Sequence, residues 1–596
     1  MITTNQFTIS AIYDGGALYS TPYYLASDKS EGVTINDSGW SRTAPLLTPE
    51  EKYLWVYYVN RNGIGNSEPE IIQVYGDIVN FVNSGEKAPA ESVKIKINCF
   101  QEGEGIPSPD NVRPIVGRSK IRVYTSPIRP KHYGAVWDRE HYQLTRTGDA
   151  ADITTNVTNF KYSGSVNENY DNPFDDIYPW SECKLCNVDI PTYMTLSKGD
   201  DIKDCVVAWE DDDNFSYEHQ YGVWKYRPRF WGASWDDDEG NRHFDISDQP
   251  CDGYVFYPEH IGGRWWGVKD TITVDGVSKT VILPKPDVVL SNVAISTIHT
   301  YAKNFNGTID NIFTQDASFL MMIIEYASMN TRLSIGNGVS SLYRQSSDKF
   351  VADTTNGTIV KVSKSVASAC VKNAIMDIGT SNGGMQIGRY YIVSTEIDSS
   401  DNTILNVTLD RAVSVTTSNM WSIHGLKNVA DEDIGSKTGY LGSNSQSNCY
   451  YRGEVLWGNF WRYVLGAYRQ GGTHHVWIVQ NEDDANNYDA LNINYHYDTG
   501  IVLSSTNGYI KELKYLKKRG ILATPSFCAL VGGNATNPIG DYMYTTTSTS
   551  NTVLLCGGSA NNGAAVGVAY WNWSVTASYS NWSCAARPSL KTLEVV

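Results

Sequence analysis

The stretch GDYMYTTTSTSNTVLLCGGSANNGAAVGVAYWNWSVTASYSNWSCAARPSL, Gly540 to Leu590, decides how the chain is read. Within it GVAYWNWSV, Gly567 to Val575, is long enough for a strand. Successive side chains of a strand point to opposite faces, so Ala569, Trp571, Trp573 and Val575 share one face. Val568, Tyr570, Asn572 and Ser574 share the other. Two indoles on one face remove much apolar area from water, which makes that the core side. Tyr570, Asn572 and Ser574 are then expected to point outward. Asn561 and Asn562 precede the strand in a Gly-flanked turn, and Ser578, Tyr579, Ser580, Asn581 and Trp582 follow it as a second polar and aromatic cluster.

Upstream, IVKVSKSV, RYYIVSTEI and ILNVTLDRAV are strand-like and separated by Ser, Asn, Gly and Asp turns, which predicts a small β-domain over residues 341–425. One helix is predicted over Thr314–Asn330, where Phe319, Met322, Ile323 and Tyr326 fall at helical spacing on one face. Asp316 near its start complements the helix dipole, and Gly336 and Gly338 lie just beyond its end. In the first 129 residues, Gln6–Tyr13, Tyr53–Val59 and the alternating run Val93–Ile97 read as strands of two small modules, residues 1–78 and 79–129. Trp40, Tyr53 and Trp55 are candidates for the core of the first, and Asp110 and Arg113 are expected to pair in the second.

Composition narrows the function. The formal net charge is −17 without a basic run, which disfavours a nucleic-acid groove or an anionic membrane surface as partner. No apolar run approaches the ~20 residues that span a bilayer. The start, MITTNQFTIS, lacks a secretory pattern, so the ten Cys are expected as free thiols. The 39 Tyr and 17 Trp, set among many Gly, Asn and Ser, give rigid contact area with polar tips, suited to recognition and equally to a β-rich core. Cys183 and Cys186 read as structural, because no second pair sits at zinc-ligand spacing. His474 and His475 point apart on a strand and find no third ligand. The runs Glu210–Asp213 and Asp236–Glu239 read as solvated loops, with Ca²⁺ binding the alternative. No metal or cofactor is expected.

Several motifs carry a resemblance. SGWSRTAPLLTPEEKYLWVYYV, from Ser38, and GEGIPSPDNVRPIVGRSKIRVY, from Gly103, are similar to modules of phage tail and fibre proteins. YGAVWDREHYQLTRTGDAAD (from Tyr133), NPFDDIYPWSECKLCNV (from Asn172) and Arg227-Pro228-Arg229-Phe230-Trp231 resemble the opening of a phage-encoded lectin-like domain. NCYYRGEVLWGNFWRYVLGAY, Asn448 to Tyr468, resembles the Tyr-Arg-Gly and Gly-Asn-x-Trp signature of the formylglycine-generating-enzyme type of C-type lectin fold, and the closing Arg587-Pro588 fits its end. The resemblance therefore implies a mostly β chain with an α+β C-terminal region. Two N-terminal β-modules for virion anchoring would precede a C-type-lectin-like domain over 130–340 and 426–596, interrupted by the inserted β-domain at 341–425.

By that resemblance the chain is a bacteriophage tail receptor-binding protein similar to the major tropism determinant. It would be a homotrimer on the virion, joined to other tail proteins and adsorbing to a host cell-surface glycan or protein without membrane insertion. The receptor-contacting residues implied are Asn561, Asn562, Tyr570, Asn572, Ser574, Tyr579, Asn581 and Trp582. The oxidase chemistry of the enzymes sharing the fold needs reactive Cys in a pattern that Cys556 and Cys584 do not reproduce, so no enzyme is expected. A polysaccharide depolymerase and a purely structural tail or head-decoration protein are the other readings.

Overall fold

Alternating apolar and polar runs punctuated by turn residues should give sheets, and in the computed structural model the chain is mostly β. The structure describes residues 131–154, 161–162, 172–251, 253–274, 276–430, 434–441, 445–486, 495–514 and 527–593. Before these it describes residues 6–13, 22–27, 37–41, 53–60, 72–75, 95–97, 99–102, 112–114 and 119–126. Contacts divide the chain into one unit of Met1–Lys131 with Ser197–Asp201 and Leu593–Val596, and another of His132–Leu196 with Ile202–Thr592.

In the first unit Gln6–Tyr13 pairs antiparallel with Ser119–Ser126, and Tyr53–Asn60 pairs parallel with Cys99–Glu102. Strands from stretch 1–78 thus share sheets with strands from stretch 79–129, where separate modules were expected. Distant pairing of this kind leaves no local sequence signal. Trp40 is half-buried. The side chains of Tyr53, Trp55, Asp110 and Arg113 lie outside the described residues.

The second unit is assembled around a helix spanning Ile312–Tyr326, shorter at its end than the expected Thr314–Asn330. Its start is set by Asn311, whose side chain accepts from the N–H groups of Phe313 and Thr314, while Thr314 Oγ1 accepts from the Asn311 N–H. This reciprocal cap satisfies donors that helix geometry leaves orphaned. Ala327, at φ 47°, ends the helix in left-handed backbone. The expected single apolar face is a correction: Leu320, Met321 and Ile324 are as buried as Phe319, Met322 and Ile323. The helix packs against His132–Asp138 and Arg242–Ser247 of one sheet and against Trp461–Arg469 of another, and a helix so enclosed is apolar all round. Asp316, expected to complement the dipole, is fully buried and accepts from the Tyr257 hydroxyl at 2.6 Å.

Three larger sheets belong to this unit. Gln143–Gly148, His132–Asp138, Arg242–Ser247, Phe230–Asp236 and Val255–Tyr257 form the first, in that order. A six-stranded sheet includes Lys184–Val188, Trp224–Arg227, His260–Gly263 and, at the end of the chain, Pro588–Ser589. A nine-stranded sheet carries Trp461–Arg469, Thr552–Gly557, Gly567–Val575 and Tyr542–Tyr544 side by side. Within the stretch expected as an insertion, six strands from Tyr343–Lys349 to Met420–Leu426 form a further sheet around their own apolar cluster, which includes Val360, Ile378, Ile392, Leu409 and Trp421. Asn459 ties that sheet's end to the rest. Its Oδ1 accepts from Leu426 N at 2.8 Å and its Nδ2 donates to Leu426 O at 3.0 Å. The neighbouring Gly458 has φ +78°, and a Cβ there would meet Val339 N at 2.9 Å.

Charge is buried where these layers meet. Glu454 Oε1 accepts from Lys225 Nζ at 2.9 Å and from Ser318 Oγ at 2.8 Å, and its other oxygen pairs with Arg587. Arg587 reaches Asp310 with two donors, at 2.9 and 3.1 Å, and Arg462 lies 3.2 Å from the same carboxylate. Side chains of all five charged residues are at most 3% exposed. A second cluster explains the Tyr-Arg-Gly motif. Arg452 holds Glu325 (2.6 Å) and Asp175 (2.5 Å), and Tyr451 donates to Glu325 at 2.9 Å. Gly453, at φ +87°, has no room for a Cβ, which would meet Leu185 Cδ2 at 2.7 Å.

The remaining sequence candidates resolve locally. Cys183 and Cys186 are buried free thiols whose burial pushes both up. Asp211 pairs with Lys184, Asp237 with His243, and His475 with Asp498.

Removing one partner of a buried ion network strands the others, so Glu454→Gln should lower stability by about 3–5 kcal/mol in denaturant unfolding of the full chain. Burial pushes the Glu454 carboxyl up, but Arg587 and Lys225 hold it well below the ordinary range. Its stabilisation is then whole above the unfolded-state pKa of about 4.3 and is lost as pH falls. The gap between wild type and Glu454→Gln should therefore narrow below about pH 4.

Candidate binding surface

Gly567–Val575 lies between Thr552–Gly557 on one side and Tyr542–Tyr544 on the other. The face assignment from alternation holds on the core side: Trp571 and Trp573 are buried with Met543, Leu554 and Cys556. The other face is where the expectation needs correction. Tyr570 is 4% exposed and Asn572 9%, so neither side chain stands free in solvent.

Neighbouring rings cover them. Trp461 meets Tyr570 edge-on with centroids 4.5 Å apart, Tyr542 meets it at 5.7 Å, and Tyr509 meets Tyr542 at 5.2 Å. Edge-to-face contacts of this kind add about 0.5–1.5 kcal/mol each beyond area burial. The Gly557-Gly558 pair makes room: a Cβ on Gly558, at φ +79°, would lie 2.9 Å from Tyr570 Cδ1. Asn562 Nδ2 donates to the Tyr570 hydroxyl at 3.3 Å, which joins two of the expected residues. Asn562 also accepts from Ser559 N and Oγ, at 2.7 and 2.8 Å. Asn572 Oδ1 accepts from Ser574 N at 2.8 Å and Ser574 Oγ at 2.6 Å, a local turn-type bond.

The loop after the strand is tied down along its length. Tyr463 donates to the Tyr579 carbonyl at 2.8 Å, and Asn581 Oδ1 accepts from Ser583 N and Oγ. Trp582 is spent on the inserted sheet. It stacks on Tyr343 at 4.4 Å and on His424 at 4.4 Å, with interplanar angles of 12° and 17°. His424 in turn binds Asp377 at 2.7 Å, and Arg389 grips the same carboxylate with two donors. Trp582 is thus a strut between loop and insertion.

What faces solvent on this side joins three of the expected residues, Ser574, Tyr579 and Asn561, to three tyrosines that the sequence reading did not single out. Tyr544 is 43% exposed, and Tyr509, Tyr542, Ser574 and Tyr579 are half-buried. Asn561 is exposed at the rim. The signal was present in Tyr542-Met543-Tyr544, an aromatic-apolar-aromatic alternation that puts both tyrosines opposite the core-facing Met543. The result is a surface of phenol rings built out from Tyr570 and Trp461, with Tyr542 packed on Tyr570 and Tyr509 on Tyr542. It can offer flat apolar contact and hydroxyls to a ligand without ordering side chains on binding. Burial pushes the Cys556 and Cys584 thiols up to about 12, which leaves them poor nucleophiles. Among the described residues no group of three or more His, Cys, Asp or Glu could hold a metal ion.

No protein-family model matches the chain, and no curated protein matches it in sequence.

Because Tyr570 is packed and Tyr544 is not, their truncations should separate. Tyr570→Ala should cost about 3–5 kcal/mol by denaturant unfolding. Tyr544→Ala should stay within about 0.5 kcal/mol of wild type.

Proposed function

We propose that the chain is a bacteriophage tail adhesin that binds a host cell-surface glycan or protein through the tyrosine face of its C-terminal sheet. The observation that carries this reading is the solvent-facing set Tyr509, Tyr542 and Tyr544, in which Tyr542 packs on the buried ring of Tyr570, itself backed by Trp461, and Tyr509 packs on Tyr542. Tyrosines give large contact area at low entropy cost, and their hydroxyls pair with sugar or peptide polar groups. The lectin-like and phage-module motifs of the sequence support the same reading, with the N-terminal sheets as the part that joins other virion proteins. A weak single site is raised to useful avidity by multiple copies, consistent with the homotrimer that the resemblance implies. In this proposal the chain performs no catalysis at the tyrosine face.

The double substitution Tyr509→Ala/Tyr544→Ala removes two of the three solvent-facing rings while leaving Tyr542 and Tyr570 in place. Particles carrying it should adsorb to host cells at least about tenfold more weakly, a loss of about 1.4 kcal/mol or more. Unchanged adsorption by stably folded protein would remove this face from the receptor site and favour a structural role in the virion.

A further inference from the structure

On a different sheet of the same unit, a thiol, an imidazole and a carboxylate come into line. His132 opens the strand His132–Asp138, and Asp245 lies on the paired strand Arg242–Ser247. His132 Nδ1 is 3.0 Å from Asp245 Oδ1, and the Tyr254 hydroxyl donates to that same oxygen at 2.9 Å. Cys251 Sγ, from the turn after the second strand, lies 3.9 Å from His132 Nε2 and 3.4 Å from Ser247 Oγ.

The arrangement is held from several directions. The His132 N–H donates to Asp149 Oδ2 at 2.8 Å, and the Asp149 N–H returns a bond to His132 O at 2.6 Å. Gly134 leaves space for the carboxylate, since a Cβ there would sit 3.0 Å from Asp245 Oδ2. With Nδ1 donating to Asp245, the Nε2 lone pair is the one that faces the thiol. Cys251 is half-exposed and the His132 side chain 30% exposed, whereas Cys183, Cys186, Cys205, Cys370, Cys449, Cys556 and Cys584 are buried.

We propose that Cys251, His132 and Asp245 form a nucleophilic thiol site that takes an acyl group from an ester or amide carbonyl. As Cys251 Sγ bonds to the carbonyl carbon, its proton passes to His132 Nε2. Collapse of the tetrahedral adduct breaks the bond to the alcohol or amine, which leaves with the proton from Nε2. The thioester on Cys251 is then attacked by water, whose proton Nε2 accepts, and the acid is released as the thiol re-forms. Asp245 is a positioning residue that orients the imidazole, and Tyr254 steadies the carboxylate. This site stands apart from the tyrosine face and does not depend on the adhesin reading.

The test is incubation of the full chain at about pH 7 with p-nitrophenyl acetate, with nitrophenolate release and peptide mass both followed. A burst should accompany an acetyl group on Cys251, and Cys251→Ser should abolish both. Loss of the general base in His132→Ala should slow acetylation by about 100-fold. Added imidazole should restore part of it, which a merely structural loss would not allow. His132→Gln, which keeps a donor toward Asp245, should be as slow and guards against misfolding of the alanine variant. An acetylation rate at Cys251 no higher than that of free cysteine, or one unchanged in both His132 variants, would overturn the proposal.

Discussion

The second unit depends on a set of charges that have nowhere else to go. Glu454 and Asp310 are buried between Lys225, Arg587 and Arg462, and these residues come from separated parts of the chain. Lys225 sits on the strand Trp224–Arg227, Arg462 on Trp461–Arg469, Asp310 just before the helix, and Arg587 near the chain's end. Each ion's desolvation is offset only while the others are in place, so the network specifies one mutual arrangement of helix and two sheets. Apolar packing alone would tolerate a slip. A stranded buried charge would not.

That constraint sets where the aromatic surface can form. Arg462, directly beside Trp461 in sequence, faces the ionic side, which turns Trp461 to the opposite face, where it supports Tyr570. The rings of Tyr542 and Tyr509 continue the platform outward. Glycines at 557 and 558 give the turn its left-handed backbone and the ring its space. Rigidity at this surface is therefore inherited from the ionic core one residue away.

Much of the fold was legible because its signals are local. Trp571 and Trp573 alternate onto the core face, and the strands of the stretch 341–425 declare themselves by alternation and turn residues. The helix was legible in its existence and less so in its ends, because Asn311 as cap and Ala327 as terminator depend on backbone geometry. Enclosure was not legible. Alternation showed which way Tyr570 and Asn572 point, yet whether that direction meets water depends on Trp461 and Tyr542, more than a hundred and about thirty residues away. The stacking of Trp582 was not legible for the same reason, since its partners Tyr343 and His424 lie on the inserted sheet. The Tyr-Arg-Gly and Arg-Pro motifs proved to supply the arginines of the buried charge clusters. Cys251 carried no sequence signal, because its partners are an imidazole and a carboxylate brought in by strand pairing.

Oxidative footprinting gives the sharpest test of the proposed contact between the tyrosine face and a host surface. Hydroxyl-radical labelling of the full chain, alone and with host envelope fragments, reports solvent access ring by ring. The account predicts that Tyr544 and Tyr542 lose reactivity on adding the fragments, while Tyr142 and Trp235, exposed on the sheet that contains His132–Asp138 and in the turn beside it, keep theirs. Protection of Tyr142 or Trp235 with Tyr544 unchanged would contradict it.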